Sequence, residues 1–130
     1  MRNETDYKTD LVKKFKKLGH YGRRIEDKYG VGFPDLILGI RDYPIFIVEA
    51  KVLRNRTHFE PTERQGIELT RLSLSPKHIV PCLLAFDEQK LYLHPPASRA
   101  IIADCTESRD DETVVQFFQR FYHERMEHLS

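Results

Sequence analysis

Several protein classes are set aside by what the sequence lacks. Only two cysteines occur in 130 residues, Cys82 and Cys105, far apart and without metal-ligand spacing. They read as reduced, small apolar residues, so neither a disulfide framework nor a zinc centre is expected. No run of about 18 apolar residues offers a membrane span. The opening Met1-Arg2-Asn3-Glu4-Thr5-Asp6 contains no apolar stretch of the kind a signal peptide needs. A soluble, intracellular protein with no membrane partner is expected. Repeats, low-complexity tracts and Gly/Ser linkers are also missing, which favours one domain over residues 1–130. A chain of that length buries a real core without a disulfide or a structural metal.

Charge is nearly balanced at +1 overall but not along the chain. Residues 1–77 carry 16 Lys+Arg against 11 Asp+Glu, whereas residues 78–130 carry 5 against 9, so the two parts are +5 and −4. A basic lobe favours a polyanionic partner such as nucleic acid, provided that a chemical site accompanies it.

Apolar periodicity supplies the elements. Tyr7, Leu11, Phe15 and Leu18 stand at helical spacing, with Lys13, Lys14, Lys16 and Lys17 on the wet side and Gly19 as a stop. Residues Tyr21 to Asp27 suggest a strand, and Gly30-Val31-Gly32-Phe33-Pro34 a loop. Asp35 to Arg41 and Ile45 to Leu53 are apolar, β-branched runs joined by the turn-forming Asp42-Tyr43-Pro44, which predicts a buried hairpin. A helix is expected from Pro61 to about Ser75, with Leu69 and Leu72 on one stripe and Pro76 ending it. Ile79 to Phe86 and Lys90 to His94 form a second strand pair around Asp87-Glu88-Gln89. Ile101-Ile102-Ala103 offers a last short strand. Val114, Phe117, Phe118, Phe121 and Tyr122 mark a C-terminal helix over about 112–128. The expected order is α-β-β-β-α-β-β-(loop)-α.

Chemistry concentrates on the hairpin. Alternation along Ile45 to Leu53 puts Ile45, Ile47, Glu49 and Lys51 on one face of a strand, and Phe46, Val48, Ala50 and Val52 on the other. Burying a carboxylate and an ammonium on an apolar strand costs several kcal/mol unless each is compensated. If the hairpin turns at Asp42-Tyr43, Asp35 lies across from position 50, within one residue, and meets Glu49 and Lys51. Two carboxylates on neighbouring strands make a hard-oxygen site suited to Mg²⁺ or Mn²⁺, and a lysine beside them can orient or deprotonate a water, or stabilise charge on a phosphorane. The competing interpretation is a structural Glu49–Lys51 ion pair, with Asp35 capping the loop.

Pro34-Asp35, thirteen intervening residues and then Glu49-Ala50-Lys51 resemble the PD-(D/E)XK nuclease signature. The resemblance covers about residues 4–94 and implies an α/β, restriction-endonuclease-like αβββαβ core with a mixed central sheet flanked by helices. Gly32-Phe33-Pro34-Asp35-Leu36-Ile37-Leu38 is most similar to the virus-type replication-repair nuclease (VRR-NUC) group, and more distantly to archaeal Holliday-junction resolvases. The likeness implies that Asp35 and Glu49 bind the metal, that the Ala50 carbonyl adds a ligand and that Lys51 positions the water. Gln65 falls where the group carries a glutamine on the helix after the lysine strand; it also fits a capping box with Thr62. Glu4 matches the group's acidic residue on the first helix, on the stripe of Tyr7, Leu11 and Phe15; it also fits a simple charge effect at a helix N-terminus.

Arg23, Arg24, Arg54, Arg56, Arg64 and Arg71 surround these positions and form a candidate grip on a DNA backbone, each also readable as a solvated charge. The six histidines show no metal pattern: His123 and His128 are five apart, off the spacing that puts two imidazoles on one helical face. Only His58, placed in a polar loop, lies near enough to touch substrate. The resemblance implies structure-selective cutting of branched DNA, a Holliday junction or a flap, in a bacterial or phage-infected cell. Paired incisions would require a homodimer. The aromatic C-terminal helix then serves either as that interface or as packing for its own sheet. The rival functions are a restriction-type or single-strand nuclease, a non-catalytic nucleic-acid-binding module of the same fold, and a protein-interaction domain.

Overall fold

The structure, a computed structural model, describes residues 2–25, 30, 32–74 and 78–127, and its first element follows from a cap. Helix α1 (Glu4–Lys17) begins where the Asn3 side chain accepts the Asp6 N–H at 2.9 Å and the Asp6 carboxylate accepts the Asn3 N–H at 3.4 Å. This reciprocal box satisfies two of the donors that a helix start leaves open. Glu4 and Asp6 in the first turn and Lys14, Lys16 and Lys17 in the last complement the helix dipole. Tyr7, Leu11 and Phe15 are buried, as their spacing predicts.

Strands β1 (Tyr21–Arg24), β2 (Leu36–Gly39) and β3 (Ile45–Val52) form an antiparallel meander. Asp42 takes a φ of 69° in the β2–β3 turn, a conformation that Asp tolerates better than most residues. A two-residue strand β4 (His58–Phe59) follows, then helix α2 (Glu63–Ser73), which is capped by Thr62. Strand β5 (Ile79–Phe86) runs parallel to β3, so the chain between them must cross over, and α2 provides the crossover. Strands β6 (Leu91–His94), β7 (Ala100–Ile101) and β8 (Thr106–Glu107) come next. Helix α3 (Val114–Phe121) continues as a π-helical turn over Tyr122–Met126.

The main sheet has the order β1-β2-β3-β5-β6-β8, and β4 pairs with β7 in a separate two-stranded sheet. This is the mixed sheet flanked by helices that the sequence implies, with two short strands, β4 and β8, added to those expected. His58 therefore stands in a strand and not in a polar loop. The strand expected at Ile101–Ala103 is Ala100–Ile101 followed by a 3-10 turn at Ile102–Asp104. The far end of the strand expected to reach Asp27, the helix stop at Ser75-Pro76, and Val31, His128 and the chain end lie outside the described residues.

One core fills the space between the sheet and helices α1 and α3. Phe118 meets Phe15 and Phe46 edge to face, with ring centroids 5.4 and 5.3 Å apart. Phe117, Phe118 and Phe121 are fully buried, so α3 spends its aromatic face on its own sheet and not on a partner. Truncating a phenylalanine in a core of this kind costs about 3–5 kcal/mol. A smaller cluster on the other face joins Leu69 of α2 to Leu83, Ala85, Phe59 and Ala100. Cys82 and Cys105 are unpaired. Among the described residues, no helix is long and apolar enough to cross a membrane.

Candidate active site

The β2–β3 register decides what meets what. Leu36 pairs with Val48, Ile37 with Ile47 and Leu38 with Phe46. Continued by one residue, the same register sets Asp35 opposite Glu49, inside the one-residue span expected around position 50. Directly opposed residues of an antiparallel pair share a face, so the two carboxylates converge. Asp35 is fastened there twice: its N–H donates to the Val48 carbonyl at 3.0 Å, and its Oδ2 accepts the Ala50 N–H at 3.0 Å. The approach to Asp35 is equally fixed. Gly32 has a φ of +87°, and a Cβ there would lie 2.6 Å from the Arg64 carbonyl group at the head of α2. Only glycine lets the loop lie this close to the helix.

Three further ionisable side chains, Glu4, Lys8 and Lys51, assemble around the pair. Lys8 Nζ lies 3.0 Å from Asp35 Oδ1 and 3.5 Å from Glu4 Oε2, and Lys51 Nζ lies 4.0 Å from Glu49 Oε2. Glu49 has no solvent exposure, and neither of its carboxyl oxygens has a hydrogen-bond partner. Burial pushes its carboxyl up to about 9, the adjacent Asp35 carboxyl pushes in the same direction, and Lys51 and Lys8 oppose them. A buried carboxyl without a partner is costly for a purely structural role, which the interior normally satisfies. Such strongly perturbed groups concentrate at functional sites.

The donor set suits a hard divalent cation. Glu49 presents unpartnered oxygen lone pairs, Asp35 faces it from the next strand, and carboxylate oxygens with water complete the coordination of Mg²⁺ or Mn²⁺ in such sites. Among the described residues, no three His, Cys, Asp or Glu side chains gather into a ready metal-holding group. The protein's share would therefore be the Asp35–Glu49 pair with main-chain help. Ala50 is present in the cluster through its N–H, which Asp35 occupies.

The remaining candidates are placed unevenly. The Gln65 side chain accepts the Thr62 N–H at 2.8 Å, and the Gln65 N–H donates to Thr62 Oγ1 at 3.3 Å, which completes a capping box on α2. Arg64 donates to the Gly30 carbonyl at 2.7 Å and so braces the loop ahead of Asp35. Arg71 pairs with Glu68 at 3.0 Å. Arg23 and Arg24 lie exposed on β1, where Arg24 reaches Thr9 at 3.4 Å. Arg54 and Arg56 are exposed beyond β3, and Arg54 lines an open groove of about 480 Å³ with Glu4, Lys51, Asn55 and His58.

Two features escaped the sequence. Lys8 falls on the stripe of Glu4 and Leu11, and a cation on a buried stripe is the signal that would have found it. Arg99 comes from the segment after β6 and donates to His58 Nε2 at 2.9 Å, which brings a second cation to the β4–β7 rim. No local pattern predicts that pairing.

No protein-family model matches the sequence, and no curated protein matches it. Among solved structures the chain is similar to the 1.6 Å structure of Archaeoglobus fulgidus Hjc, a Holliday junction resolvase from an archaeal hyperthermophile. The TM-score is 0.57 at 15% identity, over 76% of this chain and 82% of that one. The fold is Hjc-like. At that identity the likeness concerns architecture, the mixed sheet flanked by helices.

Proposed function

We propose that the protein is a divalent-metal-dependent deoxyribonuclease that hydrolyses phosphodiester bonds in branched DNA. The observation that carries this is Glu49, a fully buried carboxyl facing Asp35 whose oxygens have no hydrogen-bond partner, with the Lys51 ammonium 4.0 Å away. Bound Mg²⁺ or Mn²⁺ would polarise the phosphate and lower the pKa of a water. Asp35 and Glu49 would hold the ion, with the Ala50 carbonyl as a further ligand. Lys51, only partly buried, would orient the attacking water or stabilise charge on the phosphate oxygens at the mouth of the groove. Glu4 and Gln65 would support from the two flanking helices, and Arg23, Arg24, Arg54, Arg56, Arg64 and Arg71 would supply charge for the DNA backbone.

The preference for branched DNA rests on the Hjc-like fold, and the Gly32–Asp35 segment and Gln65 support a VRR-NUC-type variant of it. Paired cuts across a junction would make the working form a homodimer. Cleavage of labelled four-way junction, flap, single-stranded and duplex DNA, with Mg²⁺ or Mn²⁺ against EDTA, tests the proposal. Wild type is expected to cut only with metal, and Lys51→Ala to lose about 100-fold or more while remaining folded. If folded wild type cuts no substrate with either metal, a non-catalytic DNA-binding module takes the place of the enzyme.

A further inference from the structure

The carboxylate cluster already contains a cation of its own. Lys8 is 9% exposed, although it belongs to a helix whose other lysines are all in solvent. Its ammonium is 3.0 Å from Asp35 Oδ1 and 3.5 Å from Glu4 Oε2. An ammonium taken this far out of water needs close anionic partners, and these two carboxylates provide them. The Asp35 oxygen is also one that a divalent ion would seek. Ammonium and metal cannot both rest on the same Asp35 oxygen, and at such separations their repulsion is poorly screened.

We propose that Lys8 is the resident counter-ion of the metal-free site, displaced from Asp35 when Mg²⁺ or Mn²⁺ binds, and that it thereby sets the affinity for the metal. The inference rests on the metal-site reading above. A lysine suits this task because its charge sits on a flexible four-carbon stem that can swing while the helix stays in place. Glu4 lies one turn earlier on the same helix and lines the groove with Lys51 and Arg54. It would retain the displaced ammonium at the groove, where a phosphate would arrive. The metal-free cluster thus sets Lys8 between Glu4 and Asp35, and keeps these two carboxylates from facing each other without a cation.

Calorimetric titration of Mn²⁺ into DNA-free wild type, Lys8→Met and Lys8→Arg tests this, with folding checked by circular dichroism. Lys8→Met is expected to bind Mn²⁺ about tenfold tighter or more, the scale of one close charge partner, and Lys8→Arg to stay near wild type. An independent readout uses wild type alone, so it decides the matter if Lys8→Met does not fold. Mass-spectrometric footprinting with an acylating reagent should find Lys8 protected in EDTA and reactive in saturating Mn²⁺. Equal Mn²⁺ affinity in wild type and Lys8→Met, or Lys8 still protected in saturating Mn²⁺, overturns the inference and leaves the metal site standing. No Mn²⁺ binding by folded wild type overturns both.

Discussion

Replacing Glu49 with glutamine should change how stability depends on pH in the absence of metal. In the folded protein the Glu49 carboxyl is held near 9, whereas an exposed carboxyl titrates near 4.5. Between these values the folded state keeps a proton that the unfolded state has released. Stability is therefore greatest at low pH and declines as pH rises through the window, by about 1.4 kcal/mol per pH unit. From pH 6 to pH 8 the wild type in EDTA should lose about 2–3 kcal/mol on this account. Glu49→Gln removes the ionisation and should be flatter by that amount, so it overtakes wild type at the alkaline end. Urea denaturation followed by circular dichroism at both pH values, in EDTA, measures the difference between the two slopes. Titrations of groups that do not interact with Glu49 cancel in that difference. Adding Mn²⁺ should then restore wild type and leave Glu49→Gln unmoved, because only the ionised pair holds the ion. Equal pH slopes in EDTA would refute the account of Glu49 as a carboxyl kept neutral by burial.

Gly32→Ala should destabilise the protein by about 2 kcal/mol or more, since the new Cβ meets the Arg64 backbone at 2.6 Å on a residue with φ of +87°. Because the strained loop leads into Asp35, Mn²⁺ affinity should fall as well; a melting temperature and Mn²⁺ titration equal to wild type would show that the close approach is dispensable. Replacing Arg54 and Arg56 together with alanine should weaken binding to all DNA sequences alike and lower the slope of log K against log salt by about one to two. Fluorescence anisotropy across a salt series measures this, and an unchanged slope would place both guanidinium groups away from the backbone.

The hairpin and the approach of Asp35 to Glu49 were legible because they are written locally. Alternation in Ile45 to Leu53, a turn at Asp42-Tyr43-Pro44 and the position of Asp35 are enough to set the register within one residue. The amphipathic helices were legible for the same reason, their apolar stripes being longer than their uncertain ends. Pairing between distant segments was not. Strands β4, β7 and β8 have two residues each, too short for any period, and β4 meets β7 only because the chain returns after β6. Gln65 marks a different limit. A glutamine three residues after a threonine at a helix start serves a cap or a site equally well by spacing, and its side chain here accepts the Thr62 N–H. Lys8 was passed over because a lysine on a helix is ordinarily a solvated charge, and only the fold brings Asp35 to its tip.

The double fastening of Asp35 to β3, through Val48 and Ala50, has a consequence for how the site can change. A strand advances by about 3.3 Å per residue, and a slip of one residue turns every side chain to the opposite face. The offset between the facing carboxylates is consequently quantised: the hairpin is in register and the pair exists, or it is out of register and the pair is gone. Gradual adjustment is denied to the sheet. It falls to α1, whose first two turns carry Glu4 and Lys8 and can shift by fractions of an ångström without breaking a ladder. In a chain built this way, the sheet determines whether there is a site, and the start of the first helix is the part left free to tune it.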